Sequence, residues 1–149
     1  MPLVAAALND ALEEVFSAPG ATAADCATQW ADALGSYVSG IVPASTTVAA
    51  AQAALATALT AAFAGTDPVT TTVAMDAAFA AFAATVGGGM ATFTPTPPAG
   101  PVGFGDLLVP PFAETSPDAA AAVATKVHAW LTTGVATLIA PPFTVLTWS

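Results

Sequence analysis

The apolar residues of the chain recur at helical spacing in five stretches, most of them bounded by polar caps or glycines. The first stretch covers residues 3–17 and turns its acids away from the apolar face. The second carries larger side chains from Cys26 to Ile41 at steps of four, four, three and four positions, the period of an α-helix. The other three follow caps at Ser45-Thr46-Thr47, Asp67 and Ser116. The pattern predicts a mainly α fold, a compact bundle of about five helices.

Two segments do not fit a helical pattern. Proline and glycine punctuate residues 90–105, which are therefore predicted to be extended or looped. Residues 135–149 are rich in β-branched and aromatic side chains and are split by Pro141-Pro142. They are predicted to form two short extended segments or an apolar arm. We expect a helical domain over residues 1–134 and an extended apolar C-terminal arm over 135–149, docked either on another chain or on its own bundle.

The helical part of the sequence contains a degenerate repeat. The motifs FAGTDP and FAETSP begin at Phe63 and Phe112, 49 positions apart, and a leucine stands four residues before each phenylalanine. The same leucine-phenylalanine pair occurs at Leu12 and Phe16, and Phe16 lies 47 positions before Phe63. The spacing predicts three helical-hairpin units of about 47 residues, over 1–42, 43–89 and 90–134. The elbow after each phenylalanine would end one helix and start the next.

The charge balance excludes several partner classes. Lys126 is the single cation against ten acids, and the formal net charge is −9 at pH 7. Direct binding to nucleic acid needs Lys or Arg to displace counterions from phosphates, so it is not expected. Attraction to an anionic membrane surface is excluded for the same reason. Cys26 is the only cysteine, which rules out an intramolecular disulfide.

Neither a secretory signal nor a membrane span is predicted. The N-terminal stretch has no basic region, and acids arrive by Asp10. The best unbroken apolar piece, Val48 to Ala64, is mostly Ala and Thr and is shorter than the ~20 apolar residues of a span. No Lys or Arg flanks it to set an orientation.

The sequence offers no convincing catalytic or ligand site. His128 is the single histidine and has no Ser or Cys neighbour that would suggest a catalytic triad. One histidine, one cysteine and scattered acids do not predict a metal site. The glycines at 87–89 end a helix and lack the lysine of a phosphate loop. Asp76 could form a structural pair with Lys126. We therefore predict that the protein is not an enzyme and has no catalytic residue, cofactor or metal.

The remaining hypothesis is an interaction surface. The uncharged arm carries FTVLTW, which is typical of a segment that adds a strand to a neighbouring sheet or inserts a tryptophan into a pocket. Aromatic side chains are the usual anchors of such contacts. The candidate partner-binding residues are Phe143, Val145, Leu146 and Trp148 in the arm, with Phe93 and Phe104 in the Pro/Gly-rich segment.

The segments PPFAETSPDAAAAVATKVHAWLTTGVAT and PPFTVLTWS, in an alanine-rich and cysteine-poor chain, resemble small structural proteins of tailed bacteriophage particles. The resemblance implies a non-enzymatic virion component of the tail, neck, baseplate or capsid surface, present in many copies. It implies assembly in the host cytoplasm and contacts with other virion structural proteins or copies of itself. It assigns no functional residues. A small membrane-active protein and a secreted or surface alanine-rich binding module are the alternatives.

Overall fold

A computed structural model of the chain describes residues 3–109 and 115–149. The described residues form five α-helices, three short strands and one 3-10 helix. The helices are α1 (Ala5–Ser17), α2 (Ala23–Val38), α3 (Val48–Phe63), α4 (Pro68–Gly88) and α5 (Ser116–Leu131). The strands are β1 (Phe93–Thr96), β2 (Val135–Leu138) and β3 (Val145–Thr147), and the 3-10 helix is Phe104–Leu108. The predicted mainly helical fold is confirmed.

Polar residues begin three of the helices where the sequence indicated. Thr22 and Asp25 form a capping box at the start of α2, because each side chain accepts a hydrogen bond from the other residue's backbone N–H. Asp67 caps α4 ahead of a proline in the first turn. The cap of α5 is Thr115, one residue before the predicted Ser116. These local signals set where the chain enters these three helices. Thr47 stands at the N-terminus of α3 but makes no side-chain cap bond.

The helices pack in sequence order along the chain. α1 packs against α2, α2 against α3, and α3 against α4, while α5 returns to pack against α1. Small residues allow α2 and α3 to approach closely. At Gly35, an added Cβ would collide with the side chain of Gln52 on α3. The alanine-rich faces therefore bring the backbones together and leave little room for large side chains between them.

One tryptophan joins most of the helices. Trp30 on α2 makes edge-to-face contacts with four phenylalanines. The ring centroids lie 5.6 Å from Phe16, 6.1 Å from Phe63, 6.4 Å from Phe79 and 6.3 Å from Phe104. These partners belong to α1, α3, α4 and the 3-10 helix. We call the five rings the aromatic cluster.

The leucine-phenylalanine pairs behave alike in two of the three repeat units. In both, the leucine is fully buried and the phenylalanine contacts Trp30. The four residues concerned are Leu12, Phe16, Leu59 and Phe63. In the third unit, Leu108 is 36% exposed, and Phe112, with the first half of the FAETSP elbow, lies outside the described residues. The three-unit repeat stays a prediction.

The extended segments form one antiparallel sheet in the order β1-β2-β3. Phe93 of β1 lies opposite Leu138 of β2, and Thr137 of β2 lies opposite Val145 of β3. Residues 135–149 are thus two extended segments, as one of the two sequence hypotheses held. They pair with β1 and bury Trp148 completely, so this segment packs on its own chain.

We expect replacement of Trp30 by alanine to lower the free energy of unfolding by about 3–5 kcal/mol, because it removes the ring shared by four phenylalanines. Urea unfolding followed by circular dichroism measures the change. The control is Val73→Ala, since Val73 on α4 is 63% exposed and should be nearly neutral. A loss below about 1 kcal/mol for the Trp30 variant would contradict the central role of this ring.

Candidate interaction surface

The polar groups of the helices are used to hold the fold. Tyr37 on α2 and His128 on α5 are joined by a hydrogen bond of 2.5 Å between the phenol oxygen and Nδ1. Cys26 donates from Sγ to the backbone oxygen of Gly20 at 3.2 Å. Within residues 3–109 and 115–149, no group of three His, Cys, Asp or Glu side chains could hold a metal ion.

Burial alters the acidity of the one tyrosine. Tyr37 is 8% exposed, and burial raises the pKa of its phenol to about 12. The phenol is therefore protonated at neutral pH and can donate its hydrogen bond to an unprotonated Nδ1 of His128. The pair links α2 to α5.

The single lysine has a different partner from the predicted one. Nζ of Lys126 lies 2.8 Å from a carboxylate oxygen of Asp106, not of Asp76. Asp76 instead accepts hydrogen bonds from the backbone N–H groups of Gly103, at 2.9 Å, and Phe104, at 3.3 Å. Asp76 thus ties the start of the 3-10 helix to α4, and the ion pair of Asp106 with Lys126 ties the same 3-10 helix to α5.

An open groove of about 440 Å³ lies between α1 and α2. Its polar lining includes Gln29 and Asp32, whose side chains already have partners. The amide of Gln29 accepts from the N–H of Gly20 at 2.8 Å and donates to the carbonyl of Ala18 at 3.1 Å. Asp32 accepts from Gln52 at 2.6 Å. These hydrogen bonds hold the α1–α2 turn and the α2–α3 contact in place.

The six candidate partner-binding residues divide into three groups by burial. Trp148 is 0% exposed and Phe104 is 2% exposed, so both belong to the core of this chain. Phe93 and Leu146 are half-buried. Phe143 and Val145 are 58% and 60% exposed. Only the last two offer a large apolar side chain to another molecule.

Two glycines, Gly87 and Gly134, leave the space that the indole ring of Trp148 occupies. We call this space the seat of Trp148. A Cβ added at Gly134 would lie 2.5 Å from Cδ2 of the indole, and one added at Gly87 would lie 3.1 Å from Cζ2. The sequence indicated both glycines only as helix ends. Their second role depends on a close approach of distant segments, for which the sequence carries no local signal.

The outer edge of β1 is closed to further strand pairing. Hydrogen-bonded and non-hydrogen-bonded pairs alternate in an antiparallel ladder, so the backbones of Phe93 and Pro95 point away from β2. The N–H of Phe93 is used by the carbonyl of Met90 at 2.9 Å. Pro95 has no N–H at all. An added strand would therefore find no free donor at these two positions.

The outer edge of β3 is open in the described chain. Trp148 donates to the carbonyl of Gly134, and Leu138 donates to that of Thr144, each at 2.9 Å. By the same alternation, the N–H and C=O groups of Val145 and Thr147 point away from β2. No further strand lies beyond β3 in the sheet of the described residues. We call this stretch, Val145–Thr147, the β3 edge.

The two ends of the β3 edge are marked by exposed apolar residues. At one end, Val42 exchanges two backbone hydrogen bonds with Ser149, at 2.7 and 3.2 Å. The side chain of Val42 is 41% exposed. At the other end, Phe143 adopts a positive φ of 51°, which is uncommon for a residue other than glycine and turns the chain out of the strand.

The surface around the β3 edge carries no charged side chain. Residues 135–149 contain no Asp, Glu, Lys or Arg. The outward-facing side chains of the sheet form two neutral rows across the strands. They are Thr94, Thr137 and Val145 in one row and Thr96, Val135 and Thr147 in the other. All acids of the described residues lie in α1, α2, α4, α5, the 3-10 helix or the turn before α4.

Helix α4 is long and apolar enough to cross a membrane when only length and composition are considered. Its most apolar stretch of 18 residues has a mean hydropathy of 1.5, and a third of that stretch is buried inside the protein. The core helix of a soluble protein meets the same criteria, so the feature is weak evidence of a membrane span.

Comparison with known proteins does not place the chain in a family. No protein-family model matches the sequence, and no curated protein or solved structure matches it significantly.

Replacement of Gly134 by alanine should displace Trp148 and lower the free energy of unfolding by about 1–3 kcal/mol, because the new Cβ would overlap the indole. Urea unfolding measures the loss. The matched control is Gly88→Ala, since nothing lies within 4 Å of a Cβ at Gly88. Equal effects of the two substitutions would show that the indole does not occupy this seat.

The raised pKa of Tyr37 predicts a loss of stability at high pH. The folded state holds the phenolic proton more tightly than the unfolded state, whose pKa is about 10. The stabilisation is therefore complete below about pH 10 and falls as pH rises through about 12. Since Tyr37 is the only tyrosine, the phenolate absorbance reports it directly. A midpoint near 10 while circular dichroism still shows the native helices would refute the buried phenol, and Tyr37→Phe supplies the blank.

Proposed function

We propose that the protein is a non-enzymatic structural component of a tailed bacteriophage particle, located in the tail, neck, baseplate or capsid surface. It acts through contacts with other virion structural proteins and with copies of itself. The observation that carries the proposal is the β3 edge, an uncovered strand with exposed apolar neighbours on a surface without charged side chains. The assignment to a phage particle rests on the resemblance of the sequence to phage structural proteins.

The difference between the two edges of the sheet supports an interaction role. Proteins usually protect edge strands with proline, charged side chains or a covering segment, because free edges pair with other chains. Pro95 and the bond between Phe93 and Met90 give β1 such protection. β3 has neither a proline nor a charge. β3 is short and Val42 pairs with Ser149 at one end, but the outward groups of Val145–Thr147 have no such protection, and a partner that covers them accounts for the difference.

The uses of the polar side chains also support a structural role. Asp76 fastens a loop, Tyr37 and His128 link two helices, and Asp67 caps α4. These groups satisfy each other or the backbone. A protein that works by shape and surface contacts needs no more than this.

A small membrane-active protein is the second candidate, and α4 is the observation that favours it. Insertion of α4 would carry the Asp76 carboxylate into the bilayer and break its bonds to Gly103 and Phe104. It would also remove Phe79 from the aromatic cluster. Because these costs are large, we rank this function below the particle component.

The test is a quantitative mass-spectrometric inventory of sedimented, gradient-purified particles from cultures that produce the chain. We expect the protein in the particle fraction at a constant ratio to the other particle proteins. A cytoplasmic marker, depleted during purification, controls for carry-over. Recovery in the membrane fraction would contradict the proposal in favour of the membrane-active alternative. Recovery in culture medium free of particles would contradict it in favour of a secreted binding module.

A further inference from the structure

We propose that two copies of this chain pair through their β3 strands, antiparallel and about a twofold axis at Leu146. The two three-stranded sheets would join into one sheet of six strands. The inference deepens the proposed function and rests on it for its biological role, because it names a copy of the chain as one partner of the particle component.

The register follows from the groups that point outward. With the axis at Leu146, Val145 of each copy faces Thr147 of the other, and each of these pairs can exchange two N–H···O bonds. An axis at Val145 would place Thr147 opposite Phe143, whose positive φ takes it out of the strand. An axis at Thr147 would place Val145 opposite Ser149, whose outward groups already bond to Val42. Only the register centred on Leu146 uses every outward group of the β3 edge.

The ends of the edge fit the same register. Ser149 of one copy then faces Phe143 of the second copy. Because Phe143 turns away from the strand, it does not compete with Val42 for the backbone of Ser149. In this register, the exposed residues Phe143 of one copy and Val42 of the other stand at the same end of the paired strands. The twofold axis repeats this arrangement at the other end.

Among the surfaces of the described residues, charge opposes a second copy least at the sheet. Two chains with a formal charge of −9 repel one another through their helical faces, where the described acids lie. The sheet is free of charged side chains, so repulsion is least when the β3 edges approach. A basic partner segment would be drawn to the helical faces instead. The neutral Val and Thr side chains also suit close cross-strand contacts.

The test compares two lysine substitutions by light scattering and sedimentation of the full chain at increasing concentration. Val145→Lys puts a charge on the β3 edge, whereas Thr94→Lys puts the same charge in the same row of the same face on the closed edge. We expect dimers of the unaltered chain and of the Thr94 variant. The Val145 variant should dimerise about tenfold more weakly or worse, as two lost cross-strand pairs predict.

A second variant guards against misfolding as the cause. Val145→Pro removes an outward N–H but no ladder bond within the chain, so circular dichroism should be unchanged while the dimer is lost. A monomeric unaltered chain at about 1 mM, or equal dimerisation of the two lysine variants, would overturn the pairing. A monomer that is nevertheless found in purified particles would refute this pairing alone. A dimer absent from particles would refute the proposed function alone.

The register has its own test, in a Cys26→Ser background that removes the native thiol. Leu146→Cys places the two new thiols opposite each other at a non-hydrogen-bonded pair, where Cα atoms lie about 4.5 Å apart. Mild oxidation should cross-link this variant efficiently. Thr147→Cys is the control, because Thr147 faces Val145 of the second copy rather than itself. Preferential cross-linking of the Thr147 variant would overturn the axis at Leu146.

Discussion

The fold depends on a single tryptophan in a chain whose helices are largely alanine. Trp30 touches a phenylalanine from each of α1, α3, α4 and the 3-10 helix. Alanine faces bring helices close but do little to fix their rotation, because they lack side chains that interlock. α4, apolar around most of its circumference, is oriented by Phe79, which packs between Trp30 and Phe104. One ring thus decides which way several weakly patterned helices face.

The sequence predicted what depends on near neighbours. The caps at Thr22 and Asp67 act over three residues, so their chemistry was visible, and the error at the start of α5 was one position. The partners of Asp76 and Lys126 were not predictable, because they lie 20 or more residues away in a loop without helical pattern. Gly134 belongs to the same class, since its contact with Trp148 requires the whole sheet.

The candidate partner-binding residues of the C-terminal segment were predicted as a single apolar set. In the structure, alternation of side chains along β3 divides that set between the two faces of the sheet. Successive side chains of a strand point to opposite faces, so Leu146 and Trp148 face the helices while Val145 faces outward. The alternation was readable in TVLTWS, but its direction was not, because every residue there is uncharged. The contact of Trp148 with Gly87 and Gly134 sets the direction. One segment can therefore serve both the core and a partner.

The closed and open edges together limit how far such an assembly can grow. An open edge on both sides of a sheet would allow endless addition of copies, as in a fibre. Here, Pro95 and the bonded N–H of Phe93 close one side, and the proposed twofold contact through β3 would occupy the other. Acids on the helical faces discourage association elsewhere. The proposed pairing would therefore stop at a discrete pair joined through the sheet and would not extend into a fibre.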